Sequence, residues 1–135
     1  MTAVDTSVCV PALVEWHEHH DTCRRAAREA HVPAHVLLET YSVLTRLPSP
    51  HRLDGDVARA LLLGRFASDE ILAAPVGLQR AVVATLSDVG IEGGATYDGL
   101  IALTAKHHGE ALLTRDGRAR RTYELLDVDH EVISD

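Results

Sequence analysis

Short apolar runs alternate with longer segments of helical periodicity along this chain, and this alternation constrains the fold most. The clearest case is the last third, where an apolar run at 111–114 lies between two helical segments, 96–109 and 118–126. Thr96 can cap the first of these helices, and a final strand is predicted at 130–133. Strands that alternate with helices favour a parallel sheet with right-handed crossovers. The sequence therefore predicts an α/β fold.

The first part of the chain predicts a strand, a sharp turn and a helix. Residues 3–4 form a short strand that runs into Asp5, and Thr6 or Ser7 can cap the following helix, which extends to residues 14–16. Apolar spacing predicts the remaining elements, which are helices at 17–30, 36–47, 57–66 and 77–89 and a strand at 70–74.

The size and charge of the chain exclude several classes of protein. Its 135 residues amount to one ordinary domain, predicted to span residues 1–135. The net charge of −7 excludes a protein that holds nucleic acid by bulk positive charge, although residues 106–121 carry five basic groups against two acidic ones. No apolar run is long enough to cross a membrane and no leader segment is evident, so we expect a cytoplasmic protein.

Four acidic residues occupy positions where a site could form. Asp5 and Asp116 each follow a predicted strand, and sites in parallel sheets lie beyond the carboxyl ends of the strands. Asp98 falls in the first turn of a helix, and Glu39 interrupts an apolar stretch where an uncompensated charge is unfavourable. Taken singly, each acid also suits a turn, a cap or a solvated face. Together they predict a site for Mg²⁺ or Mn²⁺, which would relieve their mutual repulsion.

The motifs around these acids resemble those of PIN-domain ribonucleases. Four blocks of this chain match the motifs of that family in order and spacing over residues 4–133. Within the family, the short single-domain form is most similar to the VapC toxins of bacterial toxin-antitoxin pairs. The blocks are Asp5-Thr6-Ser7-Val8, Leu38-Glu39-Thr40, Tyr97-Asp98-Gly99-Leu100-Ile101-Ala102 and Leu113-Thr114-Arg115-Asp116. The resemblance implies a PIN-like fold, in which a central parallel five-stranded sheet is flanked by helices on both faces.

The same resemblance implies an endoribonuclease that depends on Mg²⁺ or Mn²⁺. Many relatives carry a further acid two residues after the position of Asp116, whereas this chain has Arg118 there, so the number of metal ions stays open. The resemblance assigns the catalytic and metal-ligand positions to Asp5, Glu39, Asp98 and Asp116, with Thr6 and Thr114 as supporting hydroxyls.

Three kinds of partner are expected. Arg115, Arg118 and Arg121 are candidates to hold RNA phosphates beside the acidic site, with a solvated charged face as the alternative for each. The resemblance implies a cognate VapB-type antitoxin. The apolar helices at 36–47 and 57–63 offer more apolar surface than a small sheet covers, which predicts a symmetric homodimer.

Other classes of acidic α/β protein fit the sequence less well. A response-receiver domain needs a lysine after its last strand, but the single lysine, Lys106, lies inside a predicted helix. A haloacid-type phosphatase needs a second acid where this chain has Ser7. A catalytically inactive PIN-like module that binds RNA or protein remains open. Trp16, Phe66 and three tyrosines are too few and too scattered to predict a base-stacking platform.

Overall fold

Five short parallel strands form the centre of the computed structural model, which describes residues 1–135. The strands are β1 (Thr2–Val4), β2 (Val32–Pro33), β3 (Ile71–Leu72), β4 (Ala111–Thr114) and β5 (His130–Val132). β4 pairs with both β1 and β5, and β2 pairs with β3. A parallel bridge between Ala3 and His31 joins the two groups, which gives the strand order β3-β2-β1-β4-β5. The predicted α/β fold with a five-stranded parallel sheet is confirmed.

Seven α-helices flank the strands. They are α1 (Thr6–Leu13), α2 (His20–Ala26), α3 (Ala34–Thr45), α4 (Gly55–Arg65), α5 (Val76–Asp88), α6 (Ala95–His107) and α7 (Ala119–Leu125). A 3₁₀ turn, Ser68–Glu70, precedes β3. α1 packs against α2 and α3, and α6 packs against α5 and α7. No helix combines the length and the hydrophobicity that crossing a membrane requires.

Four apolar residues of β1 and β4 are deeply buried in the sheet. Ala3, Val4, Leu112 and Leu113 are all at most 3% exposed. Strands covered on both faces by helices carry continuous apolar runs, and this explains why β1 and β4 were recognisable in the sequence. Because these strands are buried, the positions of the residues that follow their carboxyl ends are well fixed.

The pairing register brings the ends of β1 and β4 together. Val4 lies opposite Leu113, and the backbone N–H of Asp5 donates to the Leu113 carbonyl at 3.1 Å. The first residues after both strands therefore emerge at the same edge of the sheet, where the sequence predicted a site.

A glycine allows α6 to approach α5 closely. A Cβ atom at Gly99 would lie 2.5 Å from Cδ2 of Leu86, so any larger residue at this crossing would force the Leu86 side chain to move. Asp98 directly precedes this contact, so the close packing of the two helices also fixes the position of the Asp98 backbone.

Both predicted helix caps are wrong. Asp5 caps α1, since its carboxylate accepts from the backbone N–H of Ser7, and Thr6 is already helical. A carboxylate is a strong capping group and also favours the positive end of the helix. Gly94, and not Thr96, precedes the first residue of α6.

Tertiary packing also shortened two predicted helices and added a strand that was not predicted. The first helix ends at Leu13 because Val14 adopts an extended conformation and is buried with Leu44 and Ala58. The predicted helix 17–30 forms only over His20–Ala26. β2 was not predicted, since two residues carry no periodicity and the strand depends on its pairing with β3.

Candidate active site

Asp5 is the most constrained of the predicted site residues. It is 4% exposed, and its Oδ1 accepts from the backbone N–H of Ser7 at 3.0 Å and from the Ser7 hydroxyl at 2.5 Å. Oδ2 accepts from the buried Tyr123 hydroxyl at 2.7 Å. Burial raises the pKa of Asp5, although these hydrogen bonds act in the opposite direction. Three donors thus fix the orientation of this carboxylate.

Glu39 faces the start of α1 from the middle of α3. Its Oε1 accepts from the Thr6 hydroxyl at 2.7 Å, and its Oε2 lies 3.7 Å from Nε2 of His35. The side chain is 30% exposed, so the charge that interrupts the apolar stretch of α3 points away from the core. Thr6, predicted as a supporting hydroxyl, therefore contacts one of the four acids directly.

Asp116 follows β4 and is held by its own turn. Its backbone N–H donates to Oγ1 of Thr114 at 3.0 Å, and its Oδ1 accepts from the backbone N–H of Arg118 at 2.9 Å. Oδ1 also lies 3.6 Å from Nε of Arg118. Thr114, the second predicted hydroxyl, thus shapes the turn that carries Asp116.

Asp98 completes the group from the first turn of α6. Burial, and then the negative charges of Asp5, Glu39 and Asp116, together raise the pKa of Asp98 to about 6, while Arg118 opposes the shift. A carboxyl whose pKa is raised by three others shares their local electric field. All four predicted acids therefore belong to one electrostatic cluster.

One pocket of about 610 Å³ unites these residues. Glu39, Asp98 and Asp116 line it, and Asp5 lies beneath it in contact with Ser7, which is also part of the lining. The structure thus brings together the four acids that the sequence singled out.

The donor set of this pocket suits a hard divalent cation. It offers carboxylate and hydroxyl oxygens, and the raised pKa of Asp98 reflects an excess of negative charge that a cation would relieve. No group of three or more histidine, cysteine, aspartate or glutamate side chains is arranged to ligate one ion. Each of Asp5, Glu39 and Asp116 is instead bonded to a hydroxyl or an amide. Shared coordination would require these carboxylates to turn.

The PIN-domain family model matches residues 2–125. The chain is also 46% identical over 135 residues to Ribonuclease VapC40 of Mycobacterium tuberculosis, which covers 99% of this chain and 100% of that relative. The chain is a PIN domain of the VapC family.

Two solved structures share the fold of this PIN domain. FitAcB from Neisseria gonorrhoeae has a TM-score of 0.71 and 22% identity, over 99% of this chain and 97% of that one. VapBC2 from Rickettsia felis, bound to a DNA fragment from their promoter, has a TM-score of 0.68 and 15% identity, over 98% of each chain.

The three arginines proposed for RNA contact occupy different environments in this PIN domain. The side chain of Arg118 is 97% exposed and lines the acidic pocket. Arg115 is 19% exposed and donates to the Ile133 carbonyl at 3.0 Å, so its guanidinium binds the C-terminal segment. Arg121 is exposed on α7. Among the three, Arg118 is the one placed beside the acids.

Sequence reasoning missed two residues that organise the site. The Ser7 hydroxyl bonds to Asp5, accepts from the backbone N–H of Arg115 at 2.7 Å and lies 3.3 Å from the Thr114 hydroxyl. Tyr123 is fully buried, and burial together with Asp5 raises its pKa, so it stays a hydrogen-bond donor. A tyrosine on the buried face of a short helix needs a partner for its hydroxyl, and this was the signal that could have found Tyr123.

Proposed function

We propose that this PIN domain is an endoribonuclease that depends on Mg²⁺ or Mn²⁺ and uses Asp5, Glu39, Asp98 and Asp116 as its metal ligands. The observation that carries the proposal is the convergence of these four acids from distant parts of the chain around one pocket, which three of them line. The full-length similarity to a protein named as a ribonuclease supports the reaction class. The number of ions stays open.

The chemistry that Mg²⁺ or Mn²⁺ supplies at such a site is easier deprotonation of water and neutralisation of charge on the phosphoryl group. The protein contributes position. Ser7 and Tyr123 orient the carboxylate of Asp5, and Thr6 orients that of Glu39. Arg118 supplies a positive charge at the pocket wall for an RNA phosphate, which the acids alone would repel.

The decisive experiment measures cleavage of total bacterial RNA with and without Mn²⁺. We expect cleavage to stop in EDTA and to fall by orders of magnitude in Asp98→Asn, since an amide is a weaker ligand for a hard cation than a carboxylate. Asp21→Asn is the matched control, because Asp21 also lies in the first turn of a helix but is exposed outside the pocket. Its cleavage should equal that of the parent protein.

A second readout of the same proteins separates metal binding from catalysis. Mn²⁺ at about 100 times its dissociation constant should raise the free energy of unfolding by about 2.7 kcal/mol, provided that it does not bind the unfolded chain. Undiminished cleavage in EDTA, or in Asp98→Asn, would remove the metal-site assignment. RNA binding without any cleavage would favour the inactive PIN-like module.

We further propose that the protein is the toxin of a toxin-antitoxin pair, acts in the cytoplasm and forms a symmetric homodimer. The similar fold of VapBC2 supports an antitoxin partner, since that toxin-antitoxin complex was solved bound to DNA from the promoter of its own genes. The acidic pocket favours an antitoxin residue that carries a positive charge, such as arginine or lysine. An antitoxin complex whose pocket holds no such residue would contradict this part of the proposal.

A further inference from the structure

Two aromatic rings are stacked at the edge of the acidic cluster. The rings of His35 and Tyr97 are nearly parallel, with an interplanar angle of 5° and a centroid distance of 5.5 Å. His35 lies 3.7 Å from Glu39, and Tyr97 directly precedes Asp98 in the chain. The pair therefore lies beside Glu39, one of the four acids, although its two members are 62 residues apart in the chain.

The two rings differ in exposure. Tyr97 is 54% exposed, whereas the side chain of His35 is 22% exposed. Offset stacking of this kind holds an aromatic ring in place without covering it fully. Tyr97 thus presents a pre-oriented aromatic surface to solvent, and a ligand that stacks on it would lose little side-chain entropy.

The surrounding charge favours a neutral aromatic ligand at this position. A phosphate close to Glu39 would be repelled, whereas a nucleobase is uncharged and has a face that can stack. Positive groups for the phosphates, Arg46 and Arg118, line the acidic pocket, which neither His35 nor Tyr97 lines. The site therefore separates base contacts from phosphate contacts.

We propose that Tyr97, held by His35, stacks on the base of a nucleotide next to the scissile phosphate. This inference rests on the proposed ribonuclease function and names one contact by which the RNA is positioned. His35 is a positioning residue in this arrangement, because it acts through the ring of Tyr97.

Binding of single-stranded RNA in EDTA tests the contact without hydrolysis. The probes are fluorescein-labelled oligouridine and oligoadenosine of about 12 nucleotides, a length comparable to the sites of OB-fold domains that bind single strands. We expect Tyr97→Leu to bind at least one of them about fivefold or more weakly, while Tyr97→Phe retains the parent affinity because it keeps the ring. His107→Leu is the matched control, since it removes an exposed ring from the far end of the same helix.

Abasic nucleotides identify the stacked base. In the parent protein, an abasic substitution at one position of the oligomer should weaken binding as much as Tyr97→Leu does. In Tyr97→Leu the same abasic substitution should have no further effect, because both changes remove one interaction. His35→Ala should lose part of this base-dependent affinity, and His35→Phe, which can still stack, should restore it.

The outcomes separate the stacking from the function on which it rests. If the parent protein binds RNA and Tyr97→Leu binds it equally well, the stacking is wrong and the ribonuclease proposal stands; a role of Tyr97 in contacting a protein partner would give this result. If the parent protein binds neither probe, the stacking proposal fails, and the cleavage assay decides the ribonuclease proposal by itself. Should Tyr97→Leu not fold, Tyr97→Gln replaces it, and equal binding of every abasic oligomer by the parent overturns the stacking.

Discussion

Asp98 is the acid in this pocket whose protonation depends most visibly on its neighbours. Burial and then the charges of Asp5, Glu39 and Asp116 raise its pKa to about 6. The folded protein therefore holds the Asp98 proton more tightly than the unfolded chain does. Its contribution to stability is complete below about pH 4, and it is lost as the pH rises through about 6.

Replacement of Asp98 by asparagine should stabilise the metal-free protein at neutral pH. The neutral amide removes one of four mutually repelling charges, so Asp98→Asn should melt at the same temperature as the parent near pH 4 and above it at pH 8. Thermal unfolding in EDTA at several pH values measures the difference. If Asp98 served only the dipole of α6, the variant would be less stable at pH 8 by up to about 1 kcal/mol.

At the scale of elements, the two arginines in the connection between β4 and α7, Arg115 and Arg118, have different environments. Arg115 is bonded to the carbonyl of Ile133 and lies 3.5 Å from Asp135, so it anchors the C-terminal segment. Arg118 extends into solvent beside Asp116. The sequence presented both as equivalent candidates, because both follow the same strand, and only the position of the C-terminus distinguishes them.

Arg118→Ala should weaken RNA binding and reduce its dependence on salt, since a phosphate contact releases counterions when it forms. The matched control is Arg120→Ala, because Arg120 is exposed on the adjoining helix and paired with Glu124 outside the pocket. RNA affinity measured across a salt series compares the two. An unchanged salt slope in Arg118→Ala would assign this arginine to a solvated face.

At the scale of the whole molecule, an apolar groove between α3 and α4 is left uncovered. Its volume is about 590 Å³, and its lining includes Leu38 and Leu63, which are 65% and 56% exposed. Exposed leucines grouped in one groove are unfavourable in water unless another surface covers them. The groove lies on the two helices from which the sequence predicted a homodimer.

The parent protein should therefore have the mass of a dimer at micromolar concentration, as measured by sedimentation or light scattering. Leu63→Glu should shift it towards the monomer, because a charge in the covered groove would be desolvated. Val76→Glu, a change at an exposed valine at the start of α5, should leave the mass unaltered. A monomeric parent protein would contradict the homodimer.

Much of the fold and the four acids could be predicted from the sequence because their signals are local. Parallel strands buried on both faces appear as apolar runs, so β4 was predicted with its observed bounds, Ala111–Thr114. Asp5 and Asp116 could be predicted to meet because parallel strands end at one edge of a sheet. Glu39 was recognisable because a charge in an apolar stretch demands a partner.

Contacts between distant segments were decided only by the tertiary structure. β2 exists through pairing with β3, and Asp5 is fixed by Tyr123, which lies 118 residues away in the chain. The stacking of His35 on Tyr97 likewise joins two helices whose separation no periodicity encodes. Local patterns specify which face of an element is apolar, whereas the partner of a polar or aromatic side chain depends on how the packed elements meet.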